Sequence, residues 1–265
     1  MLEYVFLGII QGITEWLPIS SEGVLVLAST RILSLPLSEA IHLALFLHLG
    51  TFFAALVYLR KDVLILLKTL LNYKMADEIS KHELRVLIIA SATTAIVAFP
   101  LLALIDEAST ALAIGSSALG IVIGVPLLVT GYVSMATESA TDGEHHKDIP
   151  SHSDALLTGF TQGLAVIPGI SRSGITVATL LFRNVNEIQA LRYSFLLSLP
   201  TVLGGNILIN AGKISTIGSA EILALASSFI VGILTIHALL KIARKISWGW
   251  FTFSAGALLI FAALL

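Results

Sequence analysis

Pro168-Gly169-Ile170-Ser171-Arg172-Ser173-Gly174 cuts an apolar stretch that runs from 155 to 167 and resumes as far as Phe182. A helix needs about 20 apolar residues to cross the hydrocarbon core of a bilayer, so neither half can span it. A proline-containing turn at that depth leaves backbone N–H and C=O groups to be satisfied by protein or by a wet cavity, and it is tolerated where it lines a site. The pattern has an earlier copy. Residues 4 to 17 run into Leu17-Pro18-Ile19-Ser20-Ser21-Glu22-Gly23 and resume from Val24 to Leu33. Gly8-Ile9-Ile10-Gln11-Gly12 aligns with Gly159-Phe160-Thr161-Gln162-Gly163, and each is followed by Pro, then Ser, then Gly. Both breaks read as re-entrant hairpins, entering and leaving on one side.

Working outward, the chain of 265 residues is 56% hydrophobic and only 12% charged, where a soluble domain carries roughly a quarter charged residues. Its solvent is a bilayer. Cysteine is absent, which excludes disulfide and thiolate chemistry, and the net charge of −2 says nothing about partners. Glu3 and the lack of a basic start keep the first apolar stretch in the expected fold rather than in a signal peptide. Six segments qualify as spans, at 39 to 59, 84 to 105, 112 to 137, 188 to 211, 220 to 240 and 248 to 265. The expected fold is an all-α polytopic membrane protein of six transmembrane helices plus two re-entrant helical hairpins. It forms a single membrane domain over 1–265, with repeat 1 at 1–138, a loop at 139–154 and repeat 2 at 155–265. One hairpin plus three spans per copy makes the second copy inverted, so that the broken segments meet near the midplane.

Basic residues set the orientation. Arg60, Lys61, Lys68, Lys74, Lys81 and Arg85 fall between 60 and 85, and Lys241, Arg244 and Lys245 fall at the other connection on that side. The opposite loops have none between 106 and 111 and only Lys213 between 212 and 219. The basic side is therefore expected to be cytoplasmic, with the first hairpin entering from outside and the second from inside. The acidic 138 to 154 loop, with Lys147 alone, runs against the rule, and its His145, His146 and His152 read as a solvated loop rather than a metal site.

A charged side chain inside the membrane costs about 2.5–3.5 kcal/mol on insertion scales, which makes each one a functional candidate. Glu15 and Arg172 qualify. Gln11 and Glu15 share a helix face, where interhelical hydrogen bonding is the bland alternative. At the second break, Arg172 with Ser171, Ser173 and Thr176 at a helix start suits a phosphate, against an arginine that only snorkels to the interface. Ser20, Ser21 and Glu22 offer either a helix cap or chemistry. His48, in Leu47-His48-Leu49-Gly50-Thr51, reads as a hydrogen-bonded core histidine, and Ser198 and Asn206 as packing residues.

Gln11-Gly12-Ile13-Thr14-Glu15-Trp16-Leu17-Pro18-Ile19-Ser20-Ser21, Leu47 to Thr51, Pro168 to Gly174 and Arg192-Tyr193-Ser194-Phe195-Leu196-Leu197-Ser198-Leu199-Pro200 together resemble the undecaprenyl-pyrophosphate phosphatase family of bacitracin-resistance type, over nearly the whole chain. The resemblance implies a plasma-membrane, multi-pass hydrolase of a polyprenyl diphosphate, releasing the monophosphate and inorganic phosphate on the external face and recycling the lipid carrier for cell-envelope glycans. It implies Mg²⁺ or Ca²⁺ held by Glu15 and Gln11. It assigns catalysis to Glu15, Ser21 and Arg172, with Ser21 as nucleophile, and substrate binding to Gln11, Ser20, Glu22, Ser171, Ser173 and Thr176. The partners are the polyprenyl diphosphate, membrane lipid and, as an oligomer, a homodimer; no nucleic acid is expected.

Two departures stand out. Gln11 replaces the first glutamate of the family's acidic motif. The run after the paired serines is Glu22-Gly23-Val24 where the family has a histidine at the third position, so that Glu15 or Glu22 becomes the expected base. The rival reading is a polyprenyl-phosphate flippase or anion transporter on the same scaffold. An intramembrane protease lacks support, since no HExxH motif is present.

Overall fold

The computed structural model describes residues 1–111, 116–140, 147–167, 169–210, 217–242 and 247–264. Pro168, His145, His146, Lys213, Arg244 and Lys245 lie outside the described residues. Eleven α-helices follow in order: α1 Leu2–Thr14, α2 Ser21–Ile32, α3 Leu37–Tyr58, α4 Arg60–Leu71, α5 Glu78–Ala111, α6 Ser116–Ala140, α7 His152–Leu164, α8 Arg172–Phe182, α9 Glu187–Asn210, α10 Ser219–Ile242 and α11 Trp248–Leu264. Among the described residues the only strand-like pairing is an isolated bridge between Lys147 and Val185.

Among the described residues four helices are long and apolar enough to cross a membrane: Leu37–Tyr58, Glu78–Leu102, Glu187–Asn210 and Ser219–Lys241. They match four of the six expected segments. The other two segments fold as α6 and α11, which pack against each other. α5 begins and ends several residues beyond the second expected segment, running from Glu78 to Ala111. The basic stretch after residue 59 is not a plain loop. It contains α4, which carries Lys61 and Lys68 beside exposed Leu64, Ile65, Leu67, Leu70 and Leu71, the composition of a helix lying in a membrane interface.

Both breaks occur where the sequence places them. α1 stops at Thr14, and the chain turns through Leu17 and Pro18 to Ser20, whose φ of 57° is the left-handed region a non-glycine residue seldom takes. α7 stops at Leu164, and Gly169 at φ 94° turns the chain into α8, a conformation a side chain would oppose. Ser171 caps α8, its hydroxyl accepting from the Gly174 N–H at 3.2 Å.

The two halves make matching contacts. α1 lies along α10 and α7 along α5. A Cβ on Gly8 would stand 2.1 Å from the Ala224 carbonyl oxygen, and one on Gly159 would stand 2.4 Å from the Ala90 carbonyl oxygen. One turn on, Gly12 meets Val231 and Gly163 meets Val97 in the same way. These glycine pairs let the backbones approach as small residues do in membrane bundles. At the centre α3 and α9 run antiparallel. Asn206 and Asn210 of α9 bond to the Leu45 and His42 carbonyls near the start of α3, while Arg192 at the start of α9 pairs with Asp62, beyond the end of α3, and with Glu83 of α5.

Candidate active site

The turns at the two breaks touch. Ser173 Oγ donates to the Leu17 carbonyl at 3.1 Å, and Gly174 packs so closely on Pro18 that a Cβ there would be 2.9 Å from the proline Cβ. This contact sets the first residue of α8, Arg172, beside the residue that closes α1, Glu15. They form an ion pair, with an Arg172 Nη donating to Glu15 Oε1.

Around that pair the polar groups converge. Glu15 is 2% exposed. Its Oε2 accepts from the Gln11 amide nitrogen at 2.8 Å and from Ser21 Oγ at 2.7 Å. His48, from the middle of α3, puts Nε2 at 3.1 Å from the same carboxylate oxygen and 3.3 Å from Ser21 Oγ. Its Nδ1 lies 2.6 Å from the Ala44 carbonyl, which only accepts, so Nδ1 carries a proton and Nε2 faces the cluster. Gln11 also reaches Thr51 Oγ1 at 3.3 Å. Trp16 seals the floor: its indole N–H donates to the Gly232 carbonyl at 3.1 Å and its ring stacks edge-on against Phe195.

The expected site residues divide accordingly. Gln11, Glu15, Ser21 and Arg172 come together. Ser20 lies next to them in the turn and makes no cap bond, which removes the helix-cap reading for it. Glu22 is half-buried and close enough to act electrostatically on Glu15 and His48. Ser171 is occupied as the cap of α8. Thr176 is fully buried and bonded to the Arg172 carbonyl at 2.7 Å and to Gln162 at 3.4 Å, so in this arrangement it braces α8 against α7. His48 is the residue the sequence reading set among the core histidines. It does make a core hydrogen bond, but its other nitrogen belongs to the site. The signal that could have found it is Gly50, two residues on, which with Thr51 lets α3 close against α10 and the Gln11 face.

The donor set does not fit a cation at Glu15 in this arrangement. Both carboxylate oxygens already meet donors, one of them a guanidinium, and a divalent ion would have to sit against Arg172. Among the described residues no three His, Asp or Glu side chains converge as a metal group. Gln11 Oε1 is the exception, a buried oxygen with no hydrogen-bond partner and the hard donor type that Mg²⁺ or Ca²⁺ prefers.

Comparison with known proteins decides the family. The profile described as Bacitracin resistance protein BacA matches residues 4–260. The chain belongs to the BacA family. This BacA-family chain is 39% identical over 259 residues to an undecaprenyl-diphosphatase of Methanococcoides burtonii, covering 97% of this chain and 96% of the relative. It is 38% identical to an undecaprenyl-diphosphatase of Haloarcula marismortui, covering 93% and 91%. A third, from Methanothrix thermoacetophila, is 36% identical, covering 96% and 94%.

Proposed function

We propose that this BacA-family chain is an integral-membrane phosphatase that hydrolyses a polyprenyl diphosphate of undecaprenyl type to the monophosphate and inorganic phosphate, recycling a lipid carrier for envelope glycans. The observation that carries this reading is the meeting of the two breaks, which gathers a hydroxyl, a carboxylate and a guanidinium into one hydrogen-bonded, largely buried cluster. The relatives' names give the chemistry its substrate class.

In this reading Arg172 exchanges Glu15 for the diphosphate, its planar fork binding phosphate oxygens where one Nη now binds the carboxylate. The start of α8 and the small residues around Ser171 and Ser173 add backbone donors. Ser21 is the nucleophile at the terminal phosphorus. Ser20 and Glu22 border the phosphate, and the charge that develops there is met mainly by fixed donors. A divalent cation, Mg²⁺ or Ca²⁺, is an expectation carried by the family resemblance. The protein's open donor for it is Gln11 Oε1, the remaining ligands coming from the substrate's own phosphates, and no step here depends on it.

The architecture we propose is six spans and two re-entrant hairpins in an inverted repeat. The antiparallel α3 and α9, the matched glycine contacts and the shared end that gathers Asp62, Glu83, Lys147, Arg183 and Arg192 support it. With the basic end cytoplasmic, the first hairpin opens externally and the site faces that side of the plasma membrane. One chain holds every group named, so a homodimer is not needed for the chemistry.

The test is phosphate release from polyprenyl diphosphate by purified protein in detergent. Release that is abolished in Arg172→Ala supports the reading. A flippase or anion transporter needs two compartments and releases nothing, so a silent wild type with transport in vesicles overturns it.

A further inference from the structure

We infer that His48 is the proton-transfer group of this site, taking the Ser21 proton during attack and returning protons as the products leave. The inference rests on the phosphatase reading above. Three features of the geometry carry it. First, His48 Nε2 lies 3.3 Å from Ser21 Oγ, within reach of a proton transfer once the substrate draws the serine forward. Second, Nδ1 is committed to the Ala44 carbonyl at 2.6 Å; this fixes the ring, and leaves Nε2 as the one nitrogen that can exchange a proton with the groups of the site. Third, Glu15 Oε2 stands 3.1 Å from the same Nε2, so a proton taken up by that nitrogen lies between imidazole and carboxylate, and the adjacent negative charge favours the imidazolium.

Of the competing groups, Glu15 lies nearer the serine, at 2.7 Å from Ser21 Oγ, but it already accepts from Arg172 and Gln11 as well, and every other donor on it weakens it as a base. Glu22 makes no hydrogen bond to Ser21 among the described residues. Val24 lies one turn beyond Ser21 on α2 and is chemically inert. The imidazole reaches the serine from a different helix, α3.

The proton balance closes. As Ser21 Oγ bonds to the terminal phosphorus, its proton passes to Nε2. The bridging P–O bond breaks, and Nε2 delivers that proton to the departing polyprenyl monophosphate oxygen. A water molecule then bonds to the phosphoserine phosphorus and gives one proton to Nε2. That proton returns to Ser21 Oγ as the serine P–O bond breaks and inorganic phosphate leaves.

The experiment compares kcat and KM for phosphate release by purified wild type, His48→Ala, His48→Asn, Arg172→Ala and the double variant Val24→His/His48→Ala. Asparagine keeps a donor for the Ala44 carbonyl but has no acceptor in place of Nε2, so it guards against a variant that merely misfolds. We expect both His48 variants to lose about 10²–10⁴-fold in kcat, with KM unchanged within about threefold. Added imidazole should restore part of the rate of His48→Ala. Val24→His should restore part of it within the chain, because residues three apart on a helix share a face. If His48→Asn keeps wild-type kcat while Arg172→Ala is inactive, the phosphatase reading stands and the assignment of His48 is overturned. If wild type itself releases no phosphate, both fall together.

Discussion

At the residue scale the site is built on one carboxylate. Glu15 is buried and holds Arg172, Gln11, Ser21 and His48 around it. Removing one partner of a buried ion pair leaves an uncompensated charge and costs about 3–5 kcal/mol, whereas removing both is much milder. Arg172→Ala should therefore melt at a lower temperature in detergent than Glu15→Gln/Arg172→Ala, and thermal unfolding of the two checks it. A single variant as stable as the double would mean that the pair is not formed in the resting protein. Glu15, Ser21 and Arg172 were legible in the sequence because a charge or a proline–serine turn inside an apolar run has no inexpensive structural explanation. His48 was not. A histidine within an apolar helix has the same local pattern whether it is a core residue or a reactive one, and only the packing of α3 against α1 and α2 tells them apart. Thr176 shows the opposite case: its position in the first turn of α8 fits a phosphate, yet in this arrangement its hydroxyl bonds the Arg172 carbonyl and lies 3.4 Å from Gln162 of α7.

At the scale of elements, close helix contacts carry the fold. The Gly8 and Gly159 approaches to α10 and α5 leave no room for a methyl group, and overpacking of this kind costs about 1–3 kcal/mol. Gly8→Ala and Gly159→Ala should each lower the melting temperature. Gly204→Ala should not, since nothing lies within 4 Å of a Cβ there and alanine is the better helix former. Equal effects at all three positions would contradict the packing described. The start of α7 supplies a pH-dependent element. Burial favours the neutral form of Asp154, but the Ser151 N–H, Arg183 and Lys147 outweigh it and hold the carboxyl down at about 2, against an ordinary 3.8. A carboxyl lowered on folding stabilises fully above its unfolded value and loses that contribution as pH falls toward its folded value. Wild type should lose melting temperature between about pH 4 and pH 2, and Asp154→Asn should flatten that part of the curve. The two breaks were readable because proline, glycine and serine interrupt each apolar run at matching places. α4 was not, because Arg60, Lys61, Asp62 and Lys68 leave its apolar run too short to span a bilayer, while its leucines only make sense once the helix is drawn as a cylinder with two faces.

Across the whole molecule, the doubled pattern explains why two half-helices from distant parts of the chain meet at one point. Repeat 1 brings the acid and the serine, and repeat 2 brings the guanidinium. The equivalent position in repeat 2 is neutral: Gln162 reaches Thr94 at 2.9 Å and Thr201 at 3.2 Å, as Gln11 reaches Thr51, but no charged pair stands beside them among the described residues. Among the described residues the charged pair thus stands at the Gln11 position and not at the matching Gln162 position, and the two breaks differ in chemistry even though their contacts are matched. The measurement that tests this most directly is inorganic phosphate release from polyprenyl diphosphate by the purified chain in detergent, with Ser21→Ala and Arg172→Ala beside it. The account predicts clear release by wild type and a loss of about 10²-fold or more in each variant, because one half of the chain supplies the nucleophile and the other the clamp. Undiminished release by Arg172→Ala, or none by wild type, would contradict it.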